Sequence, residues 1–175
     1  MPKTFTNLTT VATGDLLAAT AHNNLLTTVN NHTVPPMCKA TKNATQSIPH
    51  ATATVITLPT EDYDTDGMHS TLGNTSRITI ATDGVYTVTG HVISAASSGP
   101  YNFVYIYKNG AALAGETGTI AGTKDGATAI MSQITVTLSL VATDYVEVAF
   151  YQNSGAAINA QTSCWLSAHW LGQTA

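Results

Sequence analysis

The densest run of chemically competent side chains is Glu61-Asp62-Tyr63-Asp64-Thr65-Asp66-Gly67, where carboxylates alternate ahead of a glycine. Alternating Asp before Gly opens a calcium loop, because alternate side chains converge on one side of a turn and glycine permits the bend. The EF-hand form needs a bidentate glutamate at the twelfth position, but that position is Gly73 and no amphipathic helices flank the run. The run therefore reads as an acidic, solvated turn, with Asp62, Asp64 and Asp66 kept as a subsidiary cation loop and no metal assigned. The six histidines, His22, His32, His50, His69, His91 and His169, show no H-x-H or H-x-x-x-H spacing, so a metal triad would have to be assembled from distant strands. Nucleophilic catalysis has no local support either. There is no G-x-S-x-G, and the serines of 94–98 have no histidine and carboxylate nearby in sequence. Cys38 and Cys164 are too few for a disulfide framework and lack metal-ligand spacing, so they read as buried thiols. These residues describe a non-enzyme without a cofactor.

The composition agrees with that reading. Of 175 residues 43% are hydrophobic but only 9% charged, and the net charge of −4 comes with no basic cluster among six Lys and Arg. A footprint for nucleic acid or for an anionic membrane surface is missing. No apolar run reaches the 18 residues of a membrane span, and Met1 to Asn7 lacks the apolar stretch of a signal peptide. About 30 threonines supply polar surface in place of charge, which favours pleated, half-buried β structure.

Two segments follow from the patterning. Residues 1–35 form an anchoring or oligomerisation segment with a short helix: Asp15 is a plausible N-cap, and Leu17, Ala21, Leu25 and Val29 recur at i+4 spacing before Pro35-Pro36. Such a helix needs a packing partner. That partner is either its own domain, or copies of itself and a larger assembly. Residues 36–175 read as strands and turns. Ile78 and Ile80, and then Val85, Thr87 and Thr89 after the turn Thr82-Asp83-Gly84, read as alternating with polar or small residues. The strand 101–107 ends in Lys108-Asn109-Gly110, a hairpin signal. Ile134, Val136, Leu138 and Leu140 share one face of a strand, Val146, Val148 and Phe150 one face of the next, and 164–171 forms the last strand. Segments 115–126 and 153–161 are rich in Gly, Ala and Asn and read as loops. The expectation is an all-β chain, a jelly-roll sandwich of about ten antiparallel strands behind a short N-terminal helix.

The order Tyr63-Asp64-Thr65-Asp66-Gly67, Thr82-Asp83-Gly84-Val85-Tyr86, Tyr107-Lys108-Asn109-Gly110, Leu138 to Val146 and a terminal Cys164 to Gly172 resembles the globular heads of the complement C1q and tumour necrosis factor superfamily. Thr143 departs from it, standing where those heads have glycine before the counterpart of Asp144. The resemblance implies a ten-stranded jelly roll assembled as a homotrimer that binds macromolecules and catalyses nothing. It also implies that the strands carrying Cys38 and Cys164 are neighbours, although free thiols are expected of a protein assembled in cytoplasm. The lead-in Thr13 to Ala19 with His22 to Leu25 and the Pro-Pro break is similar to that of tailed-phage virion proteins bearing such heads, in capsid decoration, head fibre or tail. This implies a bacteriophage structural protein, located in the virion after assembly in the host cytoplasm, with capsid or tail proteins as partners.

Tyr101, Phe103, Tyr105 and Tyr107 share one strand face while Val104 and Ile106 share the other. If the aliphatic face is core, the aromatic face is outward and, with Tyr145 and Tyr151, is expected to line the trimer interface. The alternative is an aromatic core. For function, a virion decoration, fibre or spike leads. The second reading is a trimeric adhesin or host-attachment module whose loop tips (95–100, 115–126, 153–161) meet a host-surface glycan or protein, with neither nucleic acid nor membrane as partner.

Overall fold

Gly84–Ser94 alternates buried and half-buried residues without a break over eleven positions. That period belongs to a strand with one face in a core and the other outward. The computed structural model describes residues 19–95, 101–114, 119–121 and 129–173, and among them has thirteen strands, the longer ones following this period most closely. In chain order they are β1 Met37–Thr41, β2 Gln46–Ile48, β3 Thr54–Val55, β4 Thr60–Asp64, β5 Arg77–Thr79, β6 Gly84–Ser94, β7 Asn102–Lys108, β8 Ala111–Ala112, β9 Thr119–Ala121, β10 Ile130–Leu140, β11 Tyr145–Gln152, β12 Ile158–Ala160 and β13 Trp165–Gly172, after one helix, α1 Ala19–Thr33.

All pairings are antiparallel. Sheet A runs β4-β1-β13-β6-β10-β9, and β12 with β2 extends it from the end of β6 at Ser94. Sheet B runs β8-β7-β11, with β3 and β5 both pairing β11. The two sheets face each other over Ile48, Ile56, Ile78, Tyr86, Ile106 and Phe150, all fully buried. Gly90 marks how closely they approach: a Cβ there would lie 2.6 Å from Val148 Cγ2 and 3.0 Å from Ile106 Cδ1. The all-β sandwich with one short helix is the architecture expected. The additional strands are short ones of two or three residues, too brief to leave a periodic signal.

Several local expectations change. The helix is described over Ala19–Thr33, and Asp15 and Leu17 lie outside the described residues. Ala21 is half-buried, but Leu25, Leu26 and Val29 are exposed, so α1 does not bury its apolar residues. Segment 153–161, read as loop, contains β12, because Ile158 and Ala160 find partners in β2 and β6. Cys38 and Cys164 are on neighbouring segments as implied, but they do not meet. Cys38 stands opposite Ala168, and the Cys164 carbonyl accepts from the Lys42 amide, four residues further along, a displacement of about 13 Å along the strand. Both are free and buried.

Candidate functional site

The aromatic strand has the parity predicted from its aliphatic half. Val104 and Ile106 are fully buried, while Phe103, Tyr105 and Tyr107 are half-buried on the outer face and Tyr101 is 54% exposed. On β11 the outward residues are Tyr145, Glu147, Ala149 and Tyr151. Register places Tyr151 against Phe103, Ala149 against Tyr105 and Glu147 against Tyr107. The rings form one connected surface: Tyr101 stacks on Phe103 at 6.0 Å, and Phe103 meets Tyr105 at 6.3 Å and Tyr151 at 6.1 Å. Burial, with Tyr107 and Tyr151 alongside, raises the Tyr105 hydroxyl above its ordinary range. Tyr145 lies apart, under the Arg77 guanidinium at 4.6 Å. Its backbone amide donates to Asn109 Oδ1 at 2.9 Å. Four of the six aromatic positions, Tyr101, Phe103, Tyr105 and Tyr151, are thus one connected patch, Tyr107 continues the same strand face, and Tyr145 is tied to a cation.

Sheet A presents a different outer face, which the sequence reading passed over. Rows of the grid run Gln133-His91-Trp165-Thr41, Thr135-Thr89-Ser167-Lys39-Tyr63 and Thr137-Thr87-His169-Met37 across β10, β6, β13, β1 and β4. Thr89 and Thr135 hydroxyls bond at 3.0 Å. His91 stacks on the Trp165 ring at 5.4 Å, and Lys39 Nζ stands 5.2 Å from the same ring while pairing with Asp62 at 2.8 Å. Burial holds the His91 imidazole below its ordinary range, with a hydrogen bond to Gln133 opposing and Lys39 adding to the effect. Tyr63 Oη and His169 Nε2 lie 2.7 Å apart, and burial raises the Tyr63 hydroxyl. The signal for this cluster was present as Trp165 and His169 at the same parity, but it needed β6 and β4 beside them.

The acidic run does not assemble a cation site. Asp62 turns to Lys39, and Asp64 accepts the backbone amides of Asp66 at 3.1 Å and His69 at 2.8 Å. Asp66 is buried and accepts the Thr82 hydroxyl at 2.7 Å. The three carboxylates serve three separate ends: the register of β4 shifts at Asp62, between the Lys39 and Ala40 pairings, and Asp66 lies beyond the end of β4. Among the described residues no three His, Cys, Asp or Glu side chains are grouped to hold a metal ion. His69 instead ties its loop down, its ring nitrogens 3.0 Å from the Arg77 carbonyl and 2.8 Å from the Leu58 carbonyl. The loop tips 96–100, 115–118 and 122–128 lie outside the described residues.

Comparison with solved structures identifies the architecture. The globular domain of zebrafish complement 1qA matches 79% of this chain over 99% of its own, at 14% identity and TM-score 0.56. The fold is a C1q and TNF-like jelly roll. An Eiger TNF from S. frugiperda (14% identity, 80% of this chain and 96% of that one, TM-score 0.58) and murine APRIL (11%, 78% and 98%, TM-score 0.58) have the same C1q and TNF-like form. No family model and no curated protein sequence matches the chain. The Asn109-Gly110 hairpin and the terminal strand, on which the resemblance was drawn, occupy their expected places in this C1q and TNF-like head, as the β7–β8 turn and as β13 beside β1.

Proposed function

We propose that this chain is a non-enzymatic structural protein of a tailed-phage particle, a homotrimeric decoration, fibre or spike. Residues 1–35 dock to capsid or tail proteins, and the jelly roll projects as the head. The observation that carries the trimer is the connected aromatic patch of Tyr101, Phe103, Tyr105 and Tyr151, with Tyr107 on the same strand face, an outer face of the kind that marks a protein contact. Tyr145 borders it. Support for docking comes from α1, which leaves Leu25, Leu26 and Val29 exposed ahead of the head. Its mechanism is multivalency: three heads with fixed orientation convert weak contacts into avidity. Native mass spectrometry at micromolar concentration tests the trimer, and a monomer refutes it. Quantitative mass spectrometry of purified particles tests the location, which requires the chain at a copy number divisible by three.

A second reading rests on the outer face of sheet A, where Thr87, Thr89, Thr135 and Thr137 form a flat area without charge. If copies meet there, the aromatic patch faces outward and suits a glycan or protein receptor, as in an adhesin. Phe103→Glu and Thr135→Glu separate the two, because only the variant placed in the contact dissociates the trimer.

A further inference from the structure

Four polar side chains point between the sheets at one end of the sandwich. Gly90 lies over Ile106, so β6 running four residues on to Ser94 and β7 running four residues back to Asn102 reach the same end, where residues 95–101 connect them. Ser132 follows Ile130, the partner of Ser94, on the adjacent strand β10. Gln152 stands opposite Asn102 on β11. All four are buried, Ser94, Asn102 and Gln152 completely and Ser132 to 1% exposure.

Gln152 is fully used. Its Nε2 donates to the carbonyls of Ile48 (3.1 Å) and Ala156 (2.9 Å), and its Oε1 accepts from the Ser154 amide and hydroxyl, both at 2.7 Å. Asn102 has the same capacity, yet neither its Nδ2 nor its Oδ1 has a hydrogen-bond partner, and neither do Ser94 Oγ and Ser132 Oγ. A buried polar atom left unpaired loses its bonds to water on folding and gains nothing in return, which is why such atoms are almost always satisfied. The unpaired set is an amide with two donors and an acceptor facing two hydroxyls that each donate and accept. This is the complement that a bridging water requires, since a buried water makes about three hydrogen bonds to otherwise unsatisfied groups.

We infer that Asn102, Ser94 and Ser132 form an internal water site, in which ordered waters bridge sheet B to sheet A at this end of the sandwich. The site replaces apolar contact at this end with a hydrogen-bonded joint, and it fixes the spacing of β6 and β7 there. Directionality gives such a joint a defined geometry that an apolar contact of equal area lacks.

A crystal structure of the full chain at 1.8 Å or better tests this directly. Expected are waters within hydrogen-bond distance of Asn102 and of at least one of the two serine hydroxyls. Side chains bonded directly to one another or to backbone would overturn the proposal, as would a dry gap or a larger solute. A stability series provides an independent reading. Asn102→Leu in a hydrated site displaces water and strands both serines, lowering the melting temperature by about 4 °C or more. Adding Ser94→Ala and Ser132→Ala to it recovers part of the loss. A rise on Asn102→Leu alone means that the site was dry.

Discussion

Gly84 lies against the indole of Trp170. A Cβ at residue 84 would collide with the Trp170 Nε1 and lie 2.6 Å from both Cδ1 and the Gly172 carbonyl oxygen. The indole is held there, its Nε1 donating to the Asp83 carbonyl at 3.2 Å, with only 9% of the residue exposed. The start of β6 and the end of β13 therefore close on a position that admits no side chain. Gly84→Ala should destabilise the fold by about 2 to 3 kcal/mol, because the obstructing atoms include backbone and a pinned ring. Chemical denaturation measures it, and a loss under about 0.5 kcal/mol, within the range of ordinary surface substitutions, would contradict the contact.

Thr143 has φ 78°, a left-handed conformation that a β-branched residue adopts at a cost. Its amide donates to the Ile80 carbonyl at 2.9 Å, which holds the turn in place. Thr143→Gly should stabilise the protein by about 1 kcal/mol, the relief of strain exceeding the extra chain entropy of glycine. A melting temperature unchanged or lowered would refute it.

Phe103 touches Tyr101, Tyr105 and Tyr151, so it is the hub of the aromatic patch. On the proposed homotrimer, Phe103→Glu should convert trimer to monomer in light scattering while the monomer keeps its β-sheet spectrum, since the aromatic pairs contribute only about 0.5 to 1.5 kcal/mol each. An intact trimer moves the contact to sheet A.

His91 is held below its ordinary value of 6.5, chiefly by burial. The folded ring stays neutral where the unfolded one takes up a proton. Its contribution to stability is therefore full above pH 6.5 and is lost as pH falls below that value toward the lowered folded one. Urea titrations between pH 5 and 7.5 should show stability rising with pH, and His91→Gln should flatten part of the slope. An identical slope in the variant removes His91 as its source.

Burial raises both thiols above their ordinary range; carboxylates of Asp64 and Glu61 add to the effect at Cys38, while hydrogen bonds and Lys42 partly offset it at Cys164. Neither Cys38 nor Cys164 should react with an aromatic disulfide reagent in the native protein, and both should react after denaturation. Rapid native labelling, or a mass gain of two hydrogens on reduction, would overturn this.

Much of the fold was legible because strand parity is a local property. Val104 and Ile106 against Tyr105 and Tyr107 declare two faces within seven residues, and Asn109-Gly110 declares the turn, with φ 53° and 81°. The candidate surfaces were half legible. The aromatic patch could be read from one strand and its parity. The Trp165 and His91 stack could not, because its members are brought together only by the pairing of β13 with β6. The Asp62, Asp64 and Asp66 run reads locally as one acidic, solvated turn, whereas the fold buries Asp66 against the Thr82 hydroxyl, a partner 16 positions away.

Sequence alone determined that this chain alternates, that it carries little charge and that its strands have an aliphatic side for a core, since these depend on neighbours one or two residues apart. Tertiary structure decided which distant residues meet: Tyr63 and His169 across 106 positions, Asn102 and Gln152 in opposing register, Cys38 offset from Cys164. The physical reason is that register between strands is chosen by the packing of a whole sheet, and a one-residue slip would turn every side chain to the other face. That choice is a property of the sandwich as a unit and is written in no single segment.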